Sequence, residues 1–176
     1  MKTGEKGIAL IKAFEGCRKR PYRCPAKLWT VGYGKLMYPE QATLKMPERL
    51  AYPLRPEHDR EFTTGEIDAF LVEELNSTER GVARYCPAAV SNQGQFDALV
   101  SFAFNVGLGT LQRSTLRAKY NRGEIEDAAD ELLKYVKAAG KELPGLVRRR
   151  TAERALFLRS STLSAPPTTT ASNSPQ

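Results

Sequence analysis

Glu15 is the residue best placed to do chemistry. Ile8, Ile11 and Glu15 recur at the i, i+3 and i+7 positions of one helical face, with Phe14 beside them, so the carboxyl is expected to point toward the interior or a cleft. A carboxyl withdrawn from water favours its neutral form and can deliver a proton near neutral pH. The same position also serves a plainer purpose, a helix-terminal glutamate paired with Arg18 or Arg20. An acid at a helix C-terminus opposes the macrodipole, a penalty that functional sites often carry. Other chemistries have less to work with. The three cysteines, Cys17, Cys24 and Cys86, are odd in number and form no CxxC pair, which argues against a closed disulfide framework. His58 is the single histidine, so a His-based triad must use it and a Cys/His zinc site of ordinary spacing is excluded. An enzyme built from this chain works with carboxylates, and no metal or cofactor is expected.

The elements that position Glu15 follow from periodicity and punctuation. Its helix must end near Gly16, because Arg20-Pro21 and Cys24-Pro25 follow as breakers. Leu28 to Gly34 alternates Trp29, Val31 and Tyr33 against Thr30 and Gly32, a period-two strand ending in glycines that suit a hairpin. Residues 36–61 are rich in proline and mixed charge without a sustained period and read as an irregular excursion. Thr63 and Glu66 then have capping-box spacing ahead of a stripe of Ile67, Phe70, Leu71 and Leu75. Further helices are expected from Asn92 to Gly107, from Ser114 to about Arg122, and from Glu124 to about Ala139 with Ile125, Ala129, Leu132 and Val136 inside. The last starts at Pro144, a favoured first-turn residue, and carries Val147, Thr151, Ala155 and Leu158. After Arg159 the sequence turns to Ser, Thr, Pro and Ala without charge, which reads as a disordered tail. No internal repeat is present.

Composition narrows the partners. The 176 residues are 27% charged and 41% hydrophobic, a globular balance in one domain or two small lobes that needs no disulfide or metal to hold it. Lys and Arg total 27 against 20 Asp and Glu, a net charge of +7, which favours polyanions: nucleic acid, acidic lipid headgroups or an acidic cell-wall polymer. Apolar runs such as Ala98 to Phe104 fall far short of the ~20 residues of a membrane span. The start, Met1-Lys2-Thr3-Gly4-Glu5-Lys6, offers no stretch long enough for a signal peptide, so the chain is expected to stay cytoplasmic until released. No helix-turn-helix pair with polar recognition positions appears, and nucleic acid is not the expected partner.

Glu15, eight residues, Cys24, five residues and Thr30, followed by Val31-Gly32-Tyr33-Gly34, resembles the phage-type lysozymes (endolysins, glycoside hydrolase family 24), whose pattern is Glu, eight residues, Asp or Cys, five residues, Thr. Phe14-Glu15-Gly16, Ser101-Phe102-Ala103-Phe104-Asn105-Val106-Gly107 and Leu143-Pro144-Gly145-Leu146-Val147-Arg148-Arg149-Arg150 extend the resemblance across about residues 3–160, with an insertion at 36–61. It implies an α+β, mostly α, lysozyme-like fold over residues 1–160. A small β-containing lobe would pack with a larger helical lobe across a cleft, and 161–176 would form the tail. It also implies a muramidase that cuts peptidoglycan between N-acetylmuramic acid and N-acetylglucosamine and lyses bacteria. Glu15 would be the general acid. Cys24 would stand where a group activates water or steadies an oxocarbenium-like transition state, Thr30 would place that water, and the outcome would be inverting. Tyr33, Gly32 and Gly34 would form cleft floor, and Asn105 would face the sugar. The implied setting is a monomer with no stable membrane insertion, held in the host cytoplasm until a holin pore releases it to the cell wall.

Two residues depart from the pattern. Cys24 replaces the commoner Asp, and an ordinary thiol is mostly neutral at pH 7. That leaves an activated thiolate, a Glu15-dominated mechanism in which Cys24 only positions water, or a small buried filler. Lys35 follows Gly-Tyr-Gly where relatives often carry His; a lysine can still pair with an acidic neighbour, but the family's structural ion pair does not carry over by default. Of Arg148, Arg149 and Arg150, successive residues on a helix turn 100° apart; one is expected to reach Glu15 or the substrate and the others to lie in solvent. His58, between Glu57 and Asp59, is expected on an exposed loop. Two rival functions remain open: a lytic transglycosylase using Glu15 alone, and a non-catalytic cell-wall binder.

Overall fold

The stripe of Ile8, Ile11 and Glu15 forms helix α1 (Glu5–Glu15) in a computed structural model that describes residues 1–159. Two buried carboxylates anchor its N-terminus. Glu79 accepts from the Thr3 amide and hydroxyl at 2.8 and 2.9 Å, and Asp97 accepts from the Gly4 amide at 2.8 Å. Gly7 lets the helix approach closely, since a Cβ there would lie 2.7 Å from Asp97 Cγ. Gly16 then ends α1 at φ 66°, a backbone state glycine adopts without strain.

A three-stranded antiparallel sheet follows in the order β1 (Arg18–Arg23), β2 (Trp29–Gly32), β3 (Lys35–Leu36). Strand β1 was not anticipated, because Arg20-Pro21 reads as a breaker. The register steps from Arg18↔Gly32 to Tyr22↔Thr30, so Pro21 sits in a bulge of an edge strand, where its missing N–H breaks no ladder bond. Strand β2 does not show the expected alternation in burial: Thr30, Val31 and Gly32 are all buried and Trp29 is half-buried, so both faces of the strand are covered. Gly32 has φ 65°, and a Cβ on it would meet Ile67 at 3.0 Å. Gly32→Ala is therefore expected to cost about 1–3 kcal/mol from the left-handed backbone and the overpacked contact, read as a lower urea midpoint with an unchanged slope.

Residues 36–61 are more structured than their composition suggests. They form a 3₁₀ turn (Pro39–Thr43), helix α2 (Met46–Ala51) and a second 3₁₀ turn (Pro56–His58). Buried Gln41 binds them to the sheet: its Oε1 accepts from the Trp29 amide at 2.9 Å, and its Nε2 donates to the Lys27 and Arg49 carbonyls at 3.1 and 3.0 Å. The Arg23 guanidinium adds bonds to the carbonyls of Lys27 and Tyr52 at 2.8 and 2.6 Å. His58 is not the exposed loop residue expected. It is half-buried, with Nδ1 2.8 Å from the hydroxyl of buried Tyr38.

Helix α3 (Thr64–Tyr85) starts at the expected Thr63/Glu66 capping box and runs 22 residues. Ile67 near its start packs under the sheet with Val31 and Phe62, while Leu71, Leu75 and Val82 join the main core. That core surrounds α4 (Gln93–Val106), in which every residue from Phe96 to Ala103 is buried. Gly107, at φ 87°, joins α4 to the short α5 (Leu108–Arg113), which was not anticipated. Helix α6 (Thr115–Asn121) is capped by Ser114.

Helix α7 (Ile125–Leu132) is shorter than its pattern predicts. Instead of continuing to Ala139, the chain makes a hairpin of β4 (Lys137–Ala138) and β5 (Lys141–Glu142). Ala139 and Gly140, at φ 49° and 78°, supply the two left-handed residues of a tight turn. Helix α8 (Pro144–Phe157) begins at the expected proline but buries a different face. Arg149, Arg150, Glu153, Leu156 and Phe157 point inward, whereas Val147, Thr151 and Ala155 are exposed and Leu158 is half-buried. The Ser/Thr/Pro-rich tail expected at 161–176 lies outside the described residues. The architecture is α+β and mostly α, with a small sheet lobe joined by α3 to a larger helical lobe.

Candidate functional site

Glu15, the last residue of α1, forms part of the wall of a cleft of about 540 Å³. Phe14 lies beside it, Asn105 at the end of α4 stands across from it, and Leu143 to Leu146 with Arg148 and Arg149 close the α8 side. The Glu15 side chain is 21% exposed, and its partner is neither Arg18 nor Arg20. Arg149 Nη1 lies 2.6 Å from Glu15 Oε1. No hydrogen bond engages Glu15 Oε2 among the described residues.

The arginine run on α8 divides sharply. Arg148 is exposed, while Arg149 and Arg150 are buried. One of the three reaches Glu15, as expected, but Arg150 is not in solvent. Both buried cations converge on Glu153, which has no exposure. Arg149 Nε donates to Glu153 Oε1 at 3.0 Å, and Arg150 Nη1 bonds Glu153 Oε2. Ser101 of α4 adds its hydroxyl to Glu153 Oε1 at 2.7 Å, and Arg149 Nη2 returns to the Ser101 carbonyl at 3.1 Å. Arg150 also donates to the Tyr135 carbonyl at 3.1 Å and to Asn105 Oδ1, with its guanidinium 5.0 Å from the Phe102 ring centroid. Sequence reasoning missed Glu153. Its signal was present: an acid four residues after one arginine and three after the next pairs with both on one helical face.

Cys24 and Thr30 meet on the β1–β2 hairpin. The Cys24 amide donates to the Leu28 carbonyl at 3.0 Å, and the Thr30 hydroxyl donates to the same carbonyl at 3.1 Å. Thr30 is buried and Cys24 half-buried. Burial is the largest single influence on the Cys24 thiol and pushes its pKa up. Hydrogen bonds from the Leu28 backbone, the Thr30 side chain and the Ala26 and Cys24 backbone together outweigh it and hold the thiol below its ordinary value. Cys86 is the reverse case, pushed up to about 12 by burial despite nearby Arg117.

Of the other expected site residues, Asn105 lines the Glu15 cleft. Gly32 is buried against Ile67, and Tyr33 packs between the two cores with the Lys12 ammonium 5.9 Å from its ring. Gly34, at φ 110°, is exposed in the turn before β3. Lys35 pairs with Glu73 of α3 at 3.0 Å, and Lys12 pairs with Asp68 at 2.7 Å. A second hollow of about 350 Å³ opens beside Phe104, the residue before Asn105, and runs along Glu74, Ser77 and Thr78 of α3. Burial pushes the Glu74 carboxyl up, against the pull of Lys35. Among the described residues, no helix is long and apolar enough to cross a membrane.

The family model described as "Phage lysozyme" matches residues 12–153. The chain is 39% identical over 160 residues to the endolysin of Bacillus phage B103, covering 90% of this chain and 54% of that protein. It is 34% identical over 167 residues to the endolysin of Acyrthosiphon pisum secondary endosymbiont phage 1, covering 89% of this chain and 98% of that one. The chain thus spans about half of the first relative and nearly all of the second. A relative named SAR-endolysin, from Haemophilus phage HP1, is 29% identical over 87% of this chain and 79% of its own length. Among solved structures, the muramidase domain of SpmX from Asticaccaulis excentricus superposes with a TM-score of 0.71 at 28% identity, covering 90% of this chain and 99% of that one.

Proposed function

The chain belongs to the phage lysozyme family, and from that premise and the Glu15 cleft we infer that it is a muramidase, hydrolysing the β-1,4 bond between N-acetylmuramic acid and N-acetylglucosamine in bacterial peptidoglycan. The observation that carries this reading is a half-buried carboxylate at a helix terminus that lines a cleft, held at one oxygen by a buried arginine and without a hydrogen bond at the other among the described residues. With Arg149 on Oε1, Glu15 Oε2 is the oxygen that carries the transferable proton. Its delivery to the glycosidic oxygen releases the leaving sugar while positive charge builds on the ring. Water then adds to the opposite face and gives up its proton to the Cys24 thiolate, giving inversion and leaving Glu15 as the carboxylate. Thr30 and Cys24 are the groups assigned to place that water, and the lowered Cys24 thiol supports a part for its thiolate.

Digestion of purified peptidoglycan followed by mass spectrometry tests this reading. Reducing-end muropeptides are expected, and 1,6-anhydro ends would replace hydrolysis with transglycosylation. That second reading is favoured by one observation, the absence of a carboxylate at position 24. Cys24→Ala separates chemistry from packing: a loss of about 10- to 100-fold in kcat is expected if the side chain helps to activate water. Retention of most activity would remove Cys24 from the mechanism. Alkylation timed by peptide mapping at pH 7 is expected to label Cys24 well before Cys86, because only thiolates react and burial keeps Cys86 protonated.

The net charge of +7 suits adsorption to an anionic wall. The setting proposed is a monomer that accumulates in the host cytoplasm and reaches the wall through a holin pore. Expression with and without a holin, scored by culture lysis, tests the route.

A further inference from the structure

Glu153 lies too deep to touch a substrate, yet it bonds the two arginines that govern the cleft. One is Arg149, which holds Glu15. The other is Arg150, which holds Asn105. Each guanidinium is a planar fork, so fixing one of its edges on Glu153 aims the other. Ser101 donates to the same carboxylate from α4 and takes an Arg149 bond on its carbonyl, so the assembly is braced between two helices.

The Arg150 arm has a chemical consequence. A guanidinium offers only donors, so Asn105 must present Oδ1 to it, which settles the orientation of the amide. The Nδ2 hydrogens find no acceptor among the described residues, and Asn105 lines the cleft beside Glu15. The group left unpaired on this cleft-lining residue is a donor pair, suited to an amide carbonyl.

We propose that Glu153 is a positioning residue that aims the Glu15 carboxyl through Arg149 and the Asn105 amide through Arg150, and that Asn105 thereby donates to an amide carbonyl of the glycan strand. This rests on the muramidase reading. Such a strand carries two kinds of amide carbonyl near the scissile bond, the acetamido group of the sugar and the lactyl-peptide bond to the stem.

Steady-state kinetics on three substrates tests it: native glycan strands, strands chemically de-N-acetylated, and strands freed of stem peptides by an amidase. The wild type is expected to lose about tenfold in kcat/KM on one altered strand, as for a donor left unpaired, and that strand identifies the carbonyl. Arg150→Lys keeps a cation for Glu153 but cannot span to Asn105. It is expected to show the same tenfold loss on native strands, mostly in KM, and no preference between native and altered ones. Glu153→Gln should lower kcat as well, since both arms go slack. Ser101→Ala keeps the buried charge and should show the same double effect at several-fold size, so the Glu153 role is still decided where Glu153→Gln does not fold. A folded Arg150→Lys variant with wild-type KM and wild-type selectivity, or a folded Ser101→Ala variant with wild-type kcat and KM, would overturn the proposal, as would a wild type that cleaves all three strands equally. A wild type that cleaves none of them would instead overturn the muramidase reading itself.

Discussion

Glu15→Gln is expected to lower peptidoglycan turnover by about a thousandfold, within the range by which positioned general acids act, while the melting temperature stays within a few degrees of the wild type. The substitution keeps the side chain's length and an oxygen for Arg149 Nη1, which now lies 2.6 Å from Oε1. What it removes is the proton that Oε2 would carry to the leaving oxygen. Binding should therefore survive while cleavage fails, so the variant should still sediment with insoluble cell walls. Muropeptide release measured beside a thermal melt checks both halves. A folded Glu15→Gln protein with wild-type turnover would transfer the general-acid role to another residue.

The largest effect on stability is expected at Glu153. Glu153→Leu fits the volume but removes the carboxylate shared by two fully buried guanidinium groups. Arg149 retains Glu15, whereas Arg150 is left with only the neutral Tyr135 carbonyl and Asn105 amide. Breaking a buried pair from one side costs about 3–5 kcal/mol, because an uncompensated charge stays behind. Urea denaturation should show that loss in the midpoint. A cost below ~1 kcal/mol would mean that water reaches Arg150 and that the buried network is looser than its geometry. Since α8 and α4 meet through this network, the damage should appear first as weakened packing of α8.

What was legible in the sequence was whatever local chemistry dictates. The face bearing Glu15, the Thr63/Glu66 cap, the bounds of α4 and the proline start of α8 each depend on residues within a turn or two of one another. The errors share a cause. The inward face of α8 is chosen by Glu153 meeting arginines and a serine from another helix, whereas periodicity counts only apolar side chains as candidates for burial. Pro21 argued against a strand because a bulge cannot be foreseen from one strand alone. Val136 continued the helical spacing of α7, but the left-handed pair Ala139 and Gly140 ended it with a hairpin. In the candidate site, Glu15 was legible from its helical face, and Asn105, which lines the same cleft, only through the family resemblance. Which arginine held Glu15, and what held that arginine, required three dimensions.

The bonds of Gln41 and Arg23 have a consequence for how this chain tolerates trimming. The segment from 36 to 61 looks like an ornament that could be excised to leave a shorter member of the family. Yet the Trp29 amide depends on Gln41 for its acceptor, and the Arg23 fork loses its carbonyl seats at Arg49 and Tyr52 without the segment. Arg23 and Trp29 pair with each other across the hairpin that carries Cys24 and Thr30. The segment is thus a cross-brace, and a deletion there would be felt as slack at the thiol rather than as a missing loop.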